Sequence, residues 1–337
     1  MAHKSIEKVA VVIPNLNGEK HLAVAIDSLL SQTHSLELIV VDNASTDASL
    51  EMLKKYEDKI ILLKNQKNLG FAGGVNCGIK YALEHSFDAV ALFNNDAVAE
   101  SNWLEKLVQC MNEHDDVGIV TCSLQLMGGE KLDSTGEFYT SWGLPYPRGR
   151  GADKHKFLDG GFVFGASGGA SLYRSKTLSE IGLFDEAFFA YYEDADISFR
   201  AQLAGWKVYF EPKAVAYHAI GQTSNRMGSG FSVYQTFKNL PLLYTKNVPG
   251  PLLLPIGLRF YSAYWLMVGR AVVRGRGLAA LKGVGASIGL GLGALSKRRY
   301  IQRTKKVSTE YINNLIVHDL PPDQTGLRKL RKVFIGK

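Results

Sequence analysis

Three carboxylates stand close together in the sequence, at Glu193, Asp194 and Asp196. Apolar residues at helical spacing follow them, so the sequence predicts a helix that begins here and whose dipole the acidic first turn stabilises. That role explains the charges, but it does not explain the aromatic residues directly before them. A carboxylate within reach of a hydroxyl can also act as a general base. The aromatic residues are Phe188, Phe189, Tyr191 and Tyr192.

Polar or glycine-rich segments follow four predicted strands. The apolar, β-branched runs alternate with amphipathic helical patterns, which predicts an α/β fold with a mostly parallel sheet flanked by helices. Ligands of such sheets bind beyond the carboxyl ends of the strands. Turn and capping chemistry explains any one polar segment, but four in succession favour a binding site. The predicted strands are 9–13, 38–41, 60–63, 89–93 and 118–122, and the polar segments are 14–18, 42–47, 68–74 and 94–96.

Several classes of protein are disfavoured by motifs that the sequence lacks. The first strand–helix junction has no glycine triplet, and no glycine-rich run ends in Gly-Lys-Ser or Gly-Lys-Thr, which argues against nicotinamide dehydrogenases and phosphate-loop ATPases. Residues 1–8 lack the apolar stretch of a signal peptide, so we expect a cytoplasmic protein. The odd number of cysteines, without metal-ligand spacing, predicts reduced thiols at Cys77, Cys110 and Cys122.

The charge is distributed unevenly along the chain. The net charge is +7 over 337 residues, but residues 212–309 contain 15 basic side chains and no acidic one. Such a segment suggests contact with an anionic membrane surface or another polyanion. Nucleic-acid binding is disfavoured because the basic segment is also apolar and the remainder of the chain is acidic.

The basic segment reads as an amphipathic helix rather than as a transmembrane anchor. Arginines and a lysine interrupt every apolar run before it reaches the roughly 18 residues of a spanning helix. If residues 255–273 are helical, Arg259, Arg270 and Arg274 share one face, and a polybasic cluster follows at 297–306. This arrangement favours a helix lying in a membrane interface, although a helical subdomain packed on the sheet has the same period. The apolar residues expected to face lipid are Ile256, Phe260, Tyr264, Trp265, Met267 and Val268.

Taken as a set, these motifs resemble the inverting glycosyltransferases of family 2, which have the GT-A fold. The resemblance covers about residues 9–220, and it implies a catalytic domain over 1–220 and a basic, helical, membrane-associating extension over 221–337. Within the family, the chain looks most like rhamnosyltransferase-type enzymes that build bacterial surface polysaccharides. The matching segments are 11–18, 40–47, 68–76, 92–96, 193–200 and His218.

The resemblance implies a nucleotide-sugar donor at the strand ends, with Asp42 reading the base. Asp96 takes the last position of the family's Asp-X-Asp signature, which holds Mg²⁺ or Mn²⁺ against the diphosphate, and His218 would be a second protein ligand. A histidine in this position is otherwise more often structural. One carboxylate can suffice when diphosphate oxygens and water complete the coordination. The implied nucleotide-binding residues are Pro14, Asn15, Asn17, Asp42, Asn43, Asn68, Gly70, Gly74, Asn94 and Asn95.

The resemblance also assigns the general base to Asp194, with Glu193 as its less favoured neighbour. The expected reaction moves rhamnose from dTDP-rhamnose to a hydroxyl of a lipid-linked or polysaccharide acceptor at the inner face of the cell membrane. UDP-galactose or another UDP- or GDP-sugar is an alternative donor, and a non-catalytic nucleotide-sugar-binding scaffold subunit is an alternative function. The oligomeric state, including a homo-oligomer, stays open. The expected acceptor platform is Trp142, Phe189, Tyr191 and Tyr192.

Overall fold

The computed structural model describes residues 5–219 and 230–322. Parallel strands β1, β2, β3 and β4 form one half of a large sheet, with β1 between β2 and β4. Helices α1, α2 and α3 connect them, as the alternating sequence pattern predicts. The bounds are β1 Val9–Asn15, α1 Leu22–Leu30, β2 Glu37–Asp42, α2 Ser49–Leu53, β3 Ile61–Lys64, α3 Gly70–Glu84 and β4 Ala89–Phe93.

The second half of the sheet is mixed. Strand β11 runs antiparallel between β4 and β6, and β12 lies parallel to β6, which gives the order β10-β12-β6-β11-β4-β1-β2-β3. Strand β12, which ends at His218, has an irregularity in its pairing with β6 between Glu211 and Val215. The bounds are β5 Ala97–Ala99, α4 Trp103–Glu113, β6 Val117–Leu126, β7 Leu132–Ser134, β8 Glu137–Tyr139, β9 Pro145–Pro147, β10 Gly161–Val163, β11 Ala170–Arg174, α5 Ser175–Ile181, α6 Glu193–Leu203 and β12 Lys207–His218.

Helices cover both faces of the sheet. Alternate residues of β1 point to opposite faces, so Val11 joins one apolar cluster and Val12 joins the other. Helix α1 contributes Ile26 to the first cluster, and α3 contributes Ile79 to the second. The fully buried central strand explains why 9–13 is a continuous apolar run. The predicted α/β architecture is confirmed.

The glycine-rich segment 68–74 differs from the expected turn, because α3 begins at Gly70. The side chain of Asn68 accepts a hydrogen bond from the Gly70 amide at 2.8 Å, which forms an Asx turn directly before the helix. Glycine is a poor helix former, which hides the helix start from sequence analysis. The protein itself fills the space beside these glycines, since a Cβ on Gly74 would lie 2.5 Å from Asn43 Nδ2.

The C-terminal part of the chain is helical, as predicted. Its apolar residues share one core cluster with Phe188 and Phe199 of the preceding part. Ion pairs also join the two parts, because Lys246 contacts both Asp185 and the fully buried Asp196. The predicted domain boundary at residues 220 and 221 lies outside the described residues, and the described segments on its two sides pack together. The helices are α7 Phe231–Asn247, α8 Gly250–Val273, α9 Gly277–Thr304 and α10 Thr309–Leu315.

The face of α8 that we expected to meet lipid is turned inward. Ile256, Phe260 and Tyr264 are buried against the protein, and only Trp265 among the expected residues lies well exposed. A different apolar stripe faces outward, with Leu254 72% and Leu258 66% exposed. The period of the sequence defines the faces of a helix, but it does not tell which face the protein covers.

Helices α8 and α9 are both long and apolar enough to cross a membrane, judged by length and composition alone. The expectation that no segment reaches this threshold was wrong on that criterion. Long arginine side chains can reach the interface from a spanning helix, so one or two of them do not disqualify it. About a third of the most apolar part of α8 and about a fifth of that of α9 are buried in the protein (33% and 22%).

Gly78 provides a test of how closely α3 packs on β1. A Cβ at this position would lie 2.5 Å from Cγ1 of buried Val12, so Gly78→Ala should lower the free energy of unfolding by about 1–3 kcal/mol. Gly285→Ala in α9 is the matched control, because nothing lies within 4 Å of its Cβ and alanine favours a helix. Chemical denaturation measures both, and a Gly78→Ala protein as stable as wild type would contradict the packing.

Candidate functional site

Side chains at the carboxyl ends of β1, β2 and β4 form one hydrogen-bond network. The Asn15 amide donates to Asp42 Oδ1 at 3.3 Å and to Ser45 Oγ at 3.1 Å. The Asn15 Oδ1 atom accepts from the Asn95 amide at 2.8 Å, and the Ser45 amide donates to Asp42 Oδ2 at 3.0 Å. Asp42 is buried. Three residues predicted to bind the nucleotide are therefore brought together.

The neighbouring predicted residues extend this network on both sides. Asn17 has a positive φ of 53°, and its Oδ1 accepts from the Thr46 amide at 2.7 Å. Asn43 donates to the Gly70 carbonyl at 2.9 Å, which ties β2 to the start of α3. Pro14 belongs to β1 beside these groups. The mutual hydrogen bonds fix the side-chain orientations, so this edge can present preorganised amide groups to a polar ligand.

Asp96 and His218 lie side by side, as the sequence predicted. Strand β5 pairs with β12, and this pairing sets His218 opposite Ala97. The His218 Nε2 atom lies 3.1 Å from Asp96 Oδ1 and 3.1 Å from Asn94 Nδ2. The polar turn after β4 therefore meets the end of β12.

Asp133 of β7 is a member of this cluster that sequence analysis missed. Its Oδ2 atom lies 2.8 Å from His218 Nδ1, and its Oδ1 atom lies 2.8 Å from Arg150 Nη2. Burial disfavours the charged imidazole, but the hydrogen bonds to Asp133 and Asp96 outweigh it and raise the pKa of His218 to about 9. Because Asp133 accepts from Nδ1–H, it leaves Nε2 for another partner.

The residues present fit a divalent cation that binds together with a diphosphate. Two ligands at right angles, each about 2.1 Å from an octahedral ion, lie about 3.0 Å apart. The Asp96 Oδ1 to His218 Nε2 distance of 3.1 Å matches this spacing. Within residues 5–219 and 230–322, no group of three or more His, Cys, Asp or Glu side chains could hold a metal ion by itself. Diphosphate oxygens and water would have to supply the remaining ligands.

Glu193 and Asp194 begin α6, as predicted, but their surroundings differ. Glu193 is buried, and its Oε2 atom has no hydrogen-bond partner among the described residues. Asp194 is partly exposed, and its oxygens accept from the Gly168 amide at 3.2 Å and the Ala195 amide at 2.8 Å. Burial raises the pKa of both carboxyls, and the Asp194 charge adds to the rise at Glu193. Asp194 is the more accessible of the two carboxylates.

The loop before β11 connects Asp194 with the Asn94–Asp96 turn. Gly168 donates its amide to Asp194 Oδ2, while the next residue, Gly169, accepts a hydrogen bond from the Asn94 amide at 2.9 Å. A Cβ on Gly169 would lie 3.1 Å from Asn94 Nδ2. The candidate base Asp194 and the turn that carries Asp96 are therefore each hydrogen-bonded to one of two consecutive glycines.

The aromatic segment before α6 has an unusual backbone. Phe189, Tyr191 and Tyr192 have φ values of 63°, 69° and 70°, and such conformations cost about 1–3 kcal/mol each for side-chain-bearing residues. The rings of Phe189 and Tyr191 each lie 6.2 Å from that of Phe231. Tyr192 and Trp142 pack against the core cluster that contains Phe188 and Phe199, so two members of the expected acceptor platform are partly core residues.

A second buried carboxylate, Glu137 of β8, was also missed. Burial raises its pKa well above the usual value, and the negative charge of Asp194 adds to the rise. Its backbone exchanges hydrogen bonds with Gly165 at 2.7 and 3.1 Å. Glu137, Asp133 and Arg150 lie between the recognisable motifs, so no spacing in the sequence singles them out.

Residues 10–182 match the family model described as glycosyl transferase family 2, which is more than half of the 337 residues. The chain belongs to glycosyl transferase family 2. An uncharacterised glycosyltransferase of Haemophilus influenzae is 28% identical over 135 residues, which cover 39% of this chain and 41% of that protein. The chain thus spans about two fifths of the length of this curated relative of family 2.

Solved structures show the same fold at low identity. Residues 1–349 of Staphylococcus aureus TarS in complex with UDP-GlcNAc superpose with a TM-score of 0.55 and 18% identity, covering 88% of this chain and 91% of that one. The Pyrobaculum calidifontis mannosyltransferase PcManGT, in complex with GDP-Man and Mn²⁺, gives a TM-score of 0.52 and 17% identity, covering 91% and 85%. The GT-A fold expected for this family 2 chain is confirmed.

Asp133 should control how tightly the candidate site at Asp96 and His218 binds a divalent cation. Asp133→Asn removes the charge that orients His218, and losing such a partner of a metal ligand weakens metal binding about 10- to 100-fold. Titration calorimetry with Mn²⁺ in the presence of a nucleoside diphosphate measures the change directly. Asp159→Asn, an exposed substitution, is the control. Unchanged Mn²⁺ affinity in Asp133→Asn would show that Asp133 has no such role.

Proposed function

We propose that the protein transfers a sugar from a nucleotide-sugar donor to an acceptor hydroxyl with inversion at the anomeric carbon. The observation that carries this proposal is the link through Gly168 and Gly169, which holds Asp194 next to the Asn94–Asp96 turn. The general base and the diphosphate site must lie next to each other, because the base activates the hydroxyl that attacks the sugar and the diphosphate leaves from the same sugar. Membership of family 2 supports the same activity, and inversion is typical of that family.

The chain's own groups account for the proton transfer. Asp194 accepts the proton of the acceptor hydroxyl while the hydroxyl oxygen bonds to the anomeric carbon. The bond from that carbon to the diphosphate oxygen breaks at the same time, and its electron pair leaves with the nucleoside diphosphate. Attack from the side opposite the leaving group inverts the configuration. A Mg²⁺ or Mn²⁺ ion held by Asp96 and His218 would stabilise the charge that develops on the diphosphate.

The identities of the donor and the acceptor are more specific proposals. The resemblance favours dTDP-rhamnose, with UDP-galactose or another UDP- or GDP-sugar as the alternative. The nucleotide would lie along the Asn15, Asp42 and Asn43 network, and the acceptor would approach the partly exposed Tyr191 and Phe189. A non-catalytic scaffold is less well supported, because Asp194 is accessible and hydrogen-bonded in a form suited to a base. The increase in the protein's thermal stability on adding dTDP, UDP or GDP, each with and without Mn²⁺, distinguishes between these candidate donors.

The exposed faces of α8 and α9 support a membrane-bound acceptor. On α8, the spacing of the exposed apolar residues is close to multiples of about 3.6, so they form one stripe. Exposed apolar side chains continue on α9, and no carboxylate occurs over 212–309 to repel an anionic leaflet. We propose peripheral attachment at the inner face of the cell membrane. The stripe consists of Leu254, Leu258, Tyr261, Trp265 and Val272.

Asp194→Asn should lower kcat by about 100-fold or more, because an amide cannot accept the proton. In the wild type, kcat/KM should fall as the pH drops through the pKa of Asp194, which burial raises above the usual value near 3.9. Asp58→Asn, at an exposed position, is the control. Product formation and donor binding are measured separately. Undiminished transfer by a correctly folded Asp194→Asn protein would rule out this base.

Removing two side chains of the stripe should weaken membrane binding. Burying a leucine or a larger apolar side chain contributes about 1.5–3 kcal/mol, so Leu258→Ser with Trp265→Ser should reduce vesicle binding at least about tenfold. Flotation with phosphatidylcholine–phosphatidylglycerol vesicles at low salt measures the effect. Val24→Ser is the control, since Val24 is an exposed apolar residue of α1. Wild-type protein that does not float, or a double variant that floats equally well, would contradict peripheral attachment through this stripe.

A further inference from the structure

The segment that leads into α6 adopts a conformation that its own residues do not favour. Phe189 has φ 63° and ψ −62°, and the Ala190 amide donates to the Phe188 carbonyl at 2.7 Å, which together define a γ-turn of the rare, strained type. Tyr191 and Tyr192 follow with positive φ. We call residues 187–192 the aromatic loop. Without glycine at these positions, contacts from elsewhere in the fold must stabilise it.

Two consecutive residues of α7 supply those contacts. The Asn239 amide nitrogen lies 3.0, 2.9 and 2.8 Å from the carbonyl oxygens of Phe188, Ala190 and Tyr191. The Lys238 ammonium donates to the carbonyls of Ala187 at 2.9 Å and Phe188 at 3.1 Å. Both side chains are buried. Of the five carbonyls from Ala187 to Tyr191, all except that of Phe189 are thus held from one side.

The aromatic loop touches both halves of the candidate site. On the donor side, the Phe189 carbonyl accepts from the Ala72 amide at 3.1 Å, and it lies only 2.3 Å from where a Cβ on Gly70 would be. On the acceptor side, Tyr192 is the residue that precedes α6, and its carbonyl accepts from the Asp196 amide at 3.0 Å. The loop therefore connects the start of α3 with the first turn of α6, which carries Asp194.

We propose that Asn239 and Lys238 are positioning residues, which hold the aromatic loop so that Asp194 stands in line with the donor. This inference rests on the proposed function, because it assigns the loop a role in that reaction. In this proposal, Asn239 and Lys238 act through the loop carbonyls that they bind and not by contact with the donor or acceptor. The C-terminal helices, which also bear the apolar stripe, are thereby connected to the candidate base through named hydrogen bonds.

Asn239→Ala removes the amide donors and tests the proposal. We expect kcat to fall about 10- to 100-fold, since small displacements of a reacting group have effects of this size, while the Kd of the nucleoside diphosphate with Mn²⁺ changes less than about threefold. Hydrogen exchange of the backbone amides of residues 187–192 should become faster, and exchange in α1 should not change. Lys238→Met, which keeps an unbranched apolar chain, should show the same pattern more weakly.

Gln302→Ala is the matched control. Its side-chain amide also donates to a backbone carbonyl, that of Asn247 at 3.0 Å, but it does not hold the aromatic loop. We expect its kcat and loop exchange to stay near wild type. Should Asn239→Ala unfold, Lys238→Met carries the test. A folded variant with wild-type kcat and unchanged hydrogen exchange in the loop overturns the proposal. If the wild-type protein transfers sugar from no donor, the proposed function is refuted instead, and hydrogen exchange still tests whether Asn239 and Lys238 hold the loop.

Discussion

The arrangement of the site depends on two hydrogen bonds. The Gly168 amide donates to the Asp194 carboxylate, and the Asn94 amide donates to the Gly169 carbonyl. They join the edge of the parallel strands to the helix that bears the carboxylates. This is possible because β11 enters the sheet antiparallel, next to β4, so the chain before it crosses the ends of the parallel strands. A Cβ on Gly168 would lie 3.2 Å from the Phe71 ring, and a Cβ on Gly169 would lie 3.1 Å from Asn94 Nδ2, so a side chain at either position would require its neighbour to shift.

Around that connection, the site separates neutral from charged groups. Asn15 at the end of β1 accepts a hydrogen bond from Asn95, which follows β4, and donates to the buried carboxylate of Asp42 at the end of β2. The charged cluster of Asp96, Asp133 and His218 lies at the end of β12, and Arg150 partly balances it. Such a division suits a ligand with a polar base at one end and a diphosphate at the other.

The sequence was sufficient where a local pattern determines the structure. Apolar runs located the parallel strands, and the acidic first turn located the start of α6 at Glu193. The sequence was insufficient where the role of a residue depends on a contact with a residue distant in the chain. Asp133 and Asn239 matter because of side chains far away in the chain, and no local spacing marks them. The α8 helix shows the same limit, since its period is correct but the burial of Phe260 depends on packing against Tyr244 and Tyr264.

The ion pairs of Lys246 have a consequence for how the chain can be divided. Asp196 is fully buried, and Lys246 and Arg200 together hold its pKa below the usual value against the effect of burial. A fragment that stopped before α7 would keep the carboxylates of Asp185 and Asp196 but lose the ammonium group that neutralises them. Removing one partner of a buried ion pair destabilises a protein by about 3–5 kcal/mol. We therefore expect the sheet and the C-terminal helices to unfold together.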